Sequence, residues 1–493
     1  MIYDTSTEAM HGLERAWLRN RALSNEILDD RIRSTYDYAI RLATMQRITT
    51  RGGVCLDVAF ELTQFRREFA KLMDSLSDGG WAYPENTAAS QGPGTLAWRG
   101  IWHRKSLVES YHEVGKLLHD AVFGLYQAFP VLDEYSLQDV LQQKRLVLSL
   151  GGGGGTGFVH LALFQWLEEI GIRPALMTGT SIGSLLGYIR AIQEHYDAAL
   201  TTLKLPGLWQ LTKSVRPYFG PGEHGLMGMW RLDFNEIIKG VIDGFGYTSA
   251  PRFSDLKIPF GCVSSGIIQN GIIEKKLEQE RSGLSIFKRI PQFSVRNMIK
   301  HAAQIGAVAT SEHAVCEVEF GLDSLTRQMT VSDAVAFSSL VPTLLNYEMP
   351  RHHYRSREII ETIFKRDHLY RLADGGLTSN VPVRAAIKAI RSGNYGHENI
   401  YVLGIDVFAP QGVDGIFYPL EQIANVNAIQ DARYADAFVR VKYLLSPLNM
   451  APTLGQLRWL NHKFRKTFAD EMRIVEYAMQ PLKSLASLDL IGF

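Results

Sequence analysis

The chain has 493 residues, 46% of them hydrophobic, and carries 52 basic against 51 acidic side chains. That length exceeds what one compact core normally serves, so two or three folding units or one enlarged domain are expected. A net charge of +1 excludes nucleic acid as a polyelectrolyte partner, and the three scattered cysteines, Cys55, Cys262 and Cys316, exclude a disulfide framework and a cysteine metal centre.

The chain opens Met1-Ile2-Tyr3-Asp4-Thr5-Ser6-Thr7-Glu8, with two acids and no apolar core, unlike a secretory signal. No stretch reaches the roughly 18 apolar residues of a spanning helix. With cysteine usage that fits a reducing compartment, the expectation is a cytoplasmic protein, soluble or peripheral at a membrane. Residues 1–145 read as helical, with Val58, Leu62, Phe65, Phe69, Leu72 and Met73 at helical spacing and Leu107, Tyr111, Val114, Leu118, Val122 and Leu125 repeating it. Between them, Ser77 to Gly94 is a loop by its turn residues. A helical layer covering the next domain explains this region better than a regulatory unit.

At Leu146 the texture changes. Leu146 to Leu150 is a short apolar run suited to a buried strand, and it feeds directly into Gly151-Gly152-Gly153-Gly154-Gly155-Thr156-Gly157. Phe158, Leu161, Leu163, Phe164, Trp166 and Leu167 then describe a mostly buried helix ending near Gly171. Pro174 to Thr178 leads into Gly179-Thr180-Ser181-Ile182-Gly183, and Ile182 to Ile189 continues as a second helix. This is strand, helix, strand, helix, an α/β pattern. A right-handed crossover makes the strands parallel, so both turns emerge at one sheet edge. The first turn can then present backbone N–H groups beside a serine exposed by the second, the layout of an oxyanion hole and a nucleophile. Helix N-termini point positive dipole ends at the same place.

Gly152, Gly154 and Gly157 also fit the dinucleotide pattern G-x-G-x-x-G. That site needs an acid at the end of the second strand, and Thr178-Gly179-Thr180-Ser181 stands there instead. No Gly-Lys-Ser/Thr follows the glycines, so a Walker-type loop is not supported. His160, at the start of a buried helix, reads as a core residue with one hydrogen bond. Phe219, Leu226, Met227, Met229 and Trp230 suit a lid or acyl groove, and equally core packing.

Tyr370 to Val383 reads as strand, tight turn and helix start, with Asp374 at the turn. An aspartate capping an Asp-Gly turn is the commoner use of that pair. A triad reading would instead combine Ser181 with Asp406, after the strand Ile400 to Ile405, and with His462 as the following histidine, which lies in a helical segment. Toward the end, Leu460, Phe464, Phe468, Met472, Val475 and Met479 form an apolar stripe beside Arg458, Lys463, Arg465, Lys466 and Arg473. Docking on the protein itself explains it better than lying on an anionic membrane.

The order Gly151–Gly157, Gly179-Thr180-Ser181-Ile182-Gly183 and Asp374-Gly375-Gly376 resembles the patatin-like phospholipases, as do Gly157 with His160 and the block Ser332 to Pro342. The resemblance covers roughly residues 146–409. It implies a three-layer α/β/α fold with a mainly parallel sheet; the helical regions expected at 1–145 and 410–493 lie outside it. It also implies a lipid acyl hydrolase that needs no metal and no cofactor, with a lipid or acyl-ester substrate and peripheral membrane contact. Carried over, Ser181 is the nucleophile, Asp374 the base, and the N–H groups around Gly152, Gly153 and Gly154 the oxyanion hole. Thr156 stands where the family usually has Arg or Lys. The competing class is a catalytically silent lipid- or partner-binding protein of the same fold.

Overall fold

The computed structural model describes residues 7–23, 28–50, 54–78, 101–198, 200–201, 214–220, 222–226, 228–269, 314–393, 395, 399–408, 418–441, 453, 455–462 and 482. They divide between two compact units, the first built from Met1–Leu146, Ile390–Tyr401 and Phe468–Phe493, the second from Val147–Ala389 and Val402–Thr467.

The first unit is mainly helical: α1 (Thr7–Leu23), α2 (Asp30–Thr44), α3 (Thr63–Ser75), α4 (Arg104–Ala128) and α5 (Glu134–Gln142). Side-chain caps start two of them, Asp29 accepting from the Arg31 N–H and Asp133 from the Ser136 N–H. The stripe expected at 107–125 is the buried face of α4, whereas Val58 and Leu62 are buried ahead of α3 rather than within it. Trp17 stacks on Tyr36 at 5.2 Å with Trp102 edge-on at 6.1 Å, forming the aromatic centre of the core. Two ladders, β1 (Arg47–Thr49) with β2 (Cys55–Asp57) and β3 (Ser77–Asp78) with β4 (Ile101–Trp102), were not legible, because two or three residues carry no period. Lys144 lies buried against Glu14 at 2.7 Å. Burial pushes the Glu14 carboxyl up, but Lys144 and His11 outweigh this and hold it below the usual carboxylate range.

The second unit centres on a seven-stranded sheet formed by β5 (Arg145–Leu150), β6 (Leu176–Thr180), β9 (Phe260–Ile268), β10 (Val315–Phe320), β12 (Leu369–Asp374), β13 (Ile400–Asp406) and β14 (Ala437–Arg440). Its order is β10-β9-β6-β5-β13-β14, with β12 also paired to β9. The pairs β5/β6, β6/β9 and β13/β14 are parallel, while β10 and β12 run antiparallel to β9. Strands β6 and β13 are buried throughout, as central strands covered on both faces should be. The helices are α6 (Val159–Glu169), α7 (Ile182–Ala191), α8 (Phe234–Gly244), α9 (Val331–Ser338), α10 (Tyr354–Arg366), α11 (Val383–Arg391) and α12 (Tyr418–Ala432).

A second sheet joins β7 (Val215–Gly220), β8 (Gly228–Leu232) and β11 (Thr343–Asn346). It occupies the stretch expected to hold a lid or groove. Leu226 is packed with Ile267, Ala373 and Leu377, and Trp230 is exposed; the side chains of Phe219, Met227 and Met229 lie outside the described residues. So do positions 463–481 of the terminal stripe, of which Leu460 is buried. No helix among the described residues is long and apolar enough to cross a membrane.

Candidate active site

Strand β5 pairs with β6 in the register Leu150↔Gly179, so the turns leaving both strands emerge side by side, as the crossover argument requires. Ser181 caps α7 with φ 53° and ψ −123°, a left-handed conformation costly for a residue bearing Cβ. Such a turn persists only where its surroundings over-determine it. The Ser181 N–H donates to the Ser338 hydroxyl at 3.0 Å, and that hydroxyl donates to the Val263 carbonyl at 2.6 Å. The Ser184 N–H donates to the Ser181 carbonyl at 2.9 Å. At Gly183 a Cβ would collide with the Leu150 carbonyl and lie 2.7 Å from that of Gly151, so only glycine lets α7 approach the strand end this closely.

Asp374 reaches the serine through β9. That strand has two edges, and β10 occupies one of them from Cys262 to Ile267. On the other edge β6 pairs up to Thr180↔Val263, and β12 takes over at Asp374↔Ser264. The two strands therefore meet end to end, with Ser181 leaving one and Asp374 ending the other. Burial pushes the Asp374 carboxyl up to about 6, against the opposing pull of the Ser181 hydroxyl and the Gly376 N–H. Oδ1 accepts from the Gly376 N–H at 2.9 Å. Among the described residues, Oδ2 has no fully formed hydrogen bond.

The glycine turn lies against the serine, since a Cβ at Gly152 would sit 3.1 Å from the Ser181 Cβ. Its three expected donors are not equivalent. The Gly152 N–H donates to the Asn380 carbonyl at 3.1 Å, so this group is committed to the fold, whereas those of Gly153 and Gly154 bond to no described residue. Thr156 is fully buried, and its hydroxyl donates to the Gly153 carbonyl at 2.6 Å. Because the peptide is planar and trans, a Gly153 carbonyl anchored toward Thr156 turns the Gly154 N–H the opposite way.

His160 is buried, its Nε2 hydrogen-bonded to the Gly151 carbonyl at 3.0 Å, and burial lowers its pKa to about 4. It anchors the loop as a neutral core residue. Asp406 pairs with Arg440 at 3.1 Å and accepts from the Phe408 N–H and Asn380, while His462 is exposed on a separate helical segment. The two do not form a triad with Ser181. Around Ser181 and Asp374 no three-ligand cation site occurs among the described residues. Ser338 and Asn380 were missed by the sequence reading, although Ser338 falls within the block Ser332 to Pro342 that carried part of the resemblance.

The family model described as patatin-like phospholipase matches residues 148–387, a span that contains both turns and Asp374. Among curated relatives, a lysophospholipase of Candida glabrata is 29% identical over 150 residues, covering 28% of this chain and 8% of that protein. One of Scheffersomyces stipitis is 33% identical over 115 residues, covering 21% and 7%. The mouse patatin-like phospholipase domain-containing protein 6 is 44% identical over 55 residues, covering 11% and 4%. The chain thus matches less than a tenth of the length of each of these three. Its sheet, its two glycine turns and the matched span assign residues 148–387 to the patatin-like phospholipase family.

Proposed function

We propose that this chain hydrolyses carboxylic esters of lipids through Ser181 and Asp374. The observation that carries the reading is the end-to-end meeting of β6 and β12, which brings a serine at positive φ to a buried carboxyl with an otherwise unbonded Oδ2. In the first half-reaction Asp374 accepts the Ser181 proton as Oγ attacks the ester carbonyl. The oxyanion is held by the N–H groups of Gly153 and Gly154 and by the positive end of α7. Collapse expels the alcohol, which takes the proton from Asp374 and leaves an acyl-serine. Water, deprotonated by Asp374, then attacks the acyl-serine, and the proton returns to Ser181 as the acid leaves. No step calls for a metal or organic cofactor. The names of the fungal relatives make lysophospholipids the first substrates to try, with peripheral contact at a lipid surface.

The test compares p-nitrophenyl esters, lysophospholipids, diacylphospholipids and triacylglycerols, alongside fluorophosphonate labelling. We expect metal-independent hydrolysis and a label on Ser181, with Ser181→Ala and Asp374→Asn each lowering kcat by at least about 10³-fold. A base with a pKa of about 6 is ionised above that value, so kcat/KM should fall as pH drops through about 6. Activity surviving Ser181→Ala would show the nucleophile to be another residue; absence of both label and hydrolysis would leave a lipid- or partner-binding protein.

A further inference from the structure

The matched family span ends at residue 387, yet the catalytic turns are held by residues well beyond it. Helix α12 places Asn427 and Asp431 one turn apart on the same face. The Asn427 amide donates to the carbonyls of Gly376 and Leu377 at 3.1 and 3.0 Å. Asp431, fully buried, accepts from the Ser379 hydroxyl and from Arg384 Nε, both at 3.0 Å. The contacts to Gly376, Leu377 and Ser379 fall on the turn that follows Asp374, and the Gly376 N–H within that turn donates to Asp374 Oδ1. The same helix reaches the glycine loop. Asn425 accepts from Arg440, Arg440 pairs with Asp406, Asp406 accepts from Asn380, and the Asn380 carbonyl holds the Gly152 N–H.

We infer that α12 is a positioning element of the catalytic site, with Asn427 as the positioning residue that fixes the Asp374 turn. The inference rests on the proposed roles of Ser181 and Asp374. A side-chain amide bridging two consecutive carbonyls prevents the turn from rotating, which keeps the Gly376 N–H aimed at Asp374 Oδ1. That bond favours the ionised carboxyl, so loosening it raises the pKa of the base. Burial raises the pKa of Asp374, and the Ser181 hydroxyl and the Gly376 N–H oppose it.

The test uses the full chain with Asn427→Ala and Asn427→Leu, which remove the donor at different volumes, and Asn427→Gln, which retains an amide. The expected result for Ala and Leu is a roughly tenfold loss of kcat with KM within about twofold, and an acid limb displaced upward by about half a pH unit, with Gln recovering part of both. Unchanged kcat and an unmoved limb in both variants would overturn the inference, as would equal losses in all three with the limb unmoved. Amide exchange across residues 374–379 separates this from failure of the hydrolase reading. If the wild type neither hydrolyses esters nor labels, exchange there should still quicken at least about tenfold in Asn427→Ala, and unchanged exchange sinks the clamp.

Discussion

At the residue scale, the position that departs from the family pattern has acquired a definite task. Where Arg or Lys is usual, Thr156 sits fully buried and bonds the Gly153 carbonyl through its hydroxyl, assisted by its own N–H at 3.3 Å. The departure therefore leaves the loop supported, by a short neutral bond in place of a cation. Thr156→Val keeps the shape and removes the hydroxyl, so the peptide that carries the Gly154 N–H loses its principal anchor. Losing an oxyanion donor outright costs about 3 kcal/mol; a loosened one should lower kcat roughly tenfold with KM little changed. Steady-state kinetics on a p-nitrophenyl ester decide it, with Thr156→Ser expected to restore most of the rate. An unaffected kcat in Thr156→Val would mean that the remaining bond suffices.

At the scale of elements, the site is a joint between strand ends. Gly375 shows how tight it is, since a Cβ there would collide with the Val263 carbonyl and lie 2.9 Å from Thr180 Cγ2. Gly375→Ala must push β12 away from the end of β6. We expect destabilisation of about 2 kcal/mol from overpacking and loss of most ester hydrolysis, read as a lowered urea midpoint and a residual rate. A variant with wild-type stability and activity would contradict the end-to-end geometry. This joint also marks what the sequence could and could not disclose. The β5–α6–β6–α7 path was legible because apolar runs abut glycine turns locally, and its crossover has one allowed hand. The pairing of β12 beside β6 was not, because it depends on a register along β9 far away in the chain, and Asp374 stood out only through the family resemblance. The distinction among Gly152, Gly153 and Gly154 was hidden for a related reason. No local pattern reveals that the Asn380 carbonyl takes one of the three N–H groups, or that Asn427 grips the aspartate turn.

At the scale of the whole molecule, chain order and compact units do not coincide: residues 390–401 belong with the helical first unit, and 402–467 with the sheet. The expected boundaries at 145 and 409 follow changes of sequence texture, whereas a parallel sheet recruits strands such as β13 and β14 from wherever they arise. The second unit also buries several carboxyls at a cost. Glu317, on β10, is pushed up to about 7 by burial and by neighbouring Glu319, with Arg384 4.0 Å away. Its folded pKa lies above the ordinary 4.5, so the folded state binds the proton more tightly, and stability should rise as pH falls through 7. His160 and His224 oppose this, because burial lowers their pKa values and the unfolded state protonates first. Glu317→Gln isolates the carboxyl, since both histidines remain in variant and wild type alike. At about pH 8 the variant should be the more stable, and its advantage should shrink by roughly 2 kcal/mol on acidification to about pH 5.5. Urea midpoints at the two pH values, followed by proteolysis within the second unit, measure the difference. A pH-independent advantage would mean that Glu317 is already neutral at pH 8 or titrates as an ordinary glutamate.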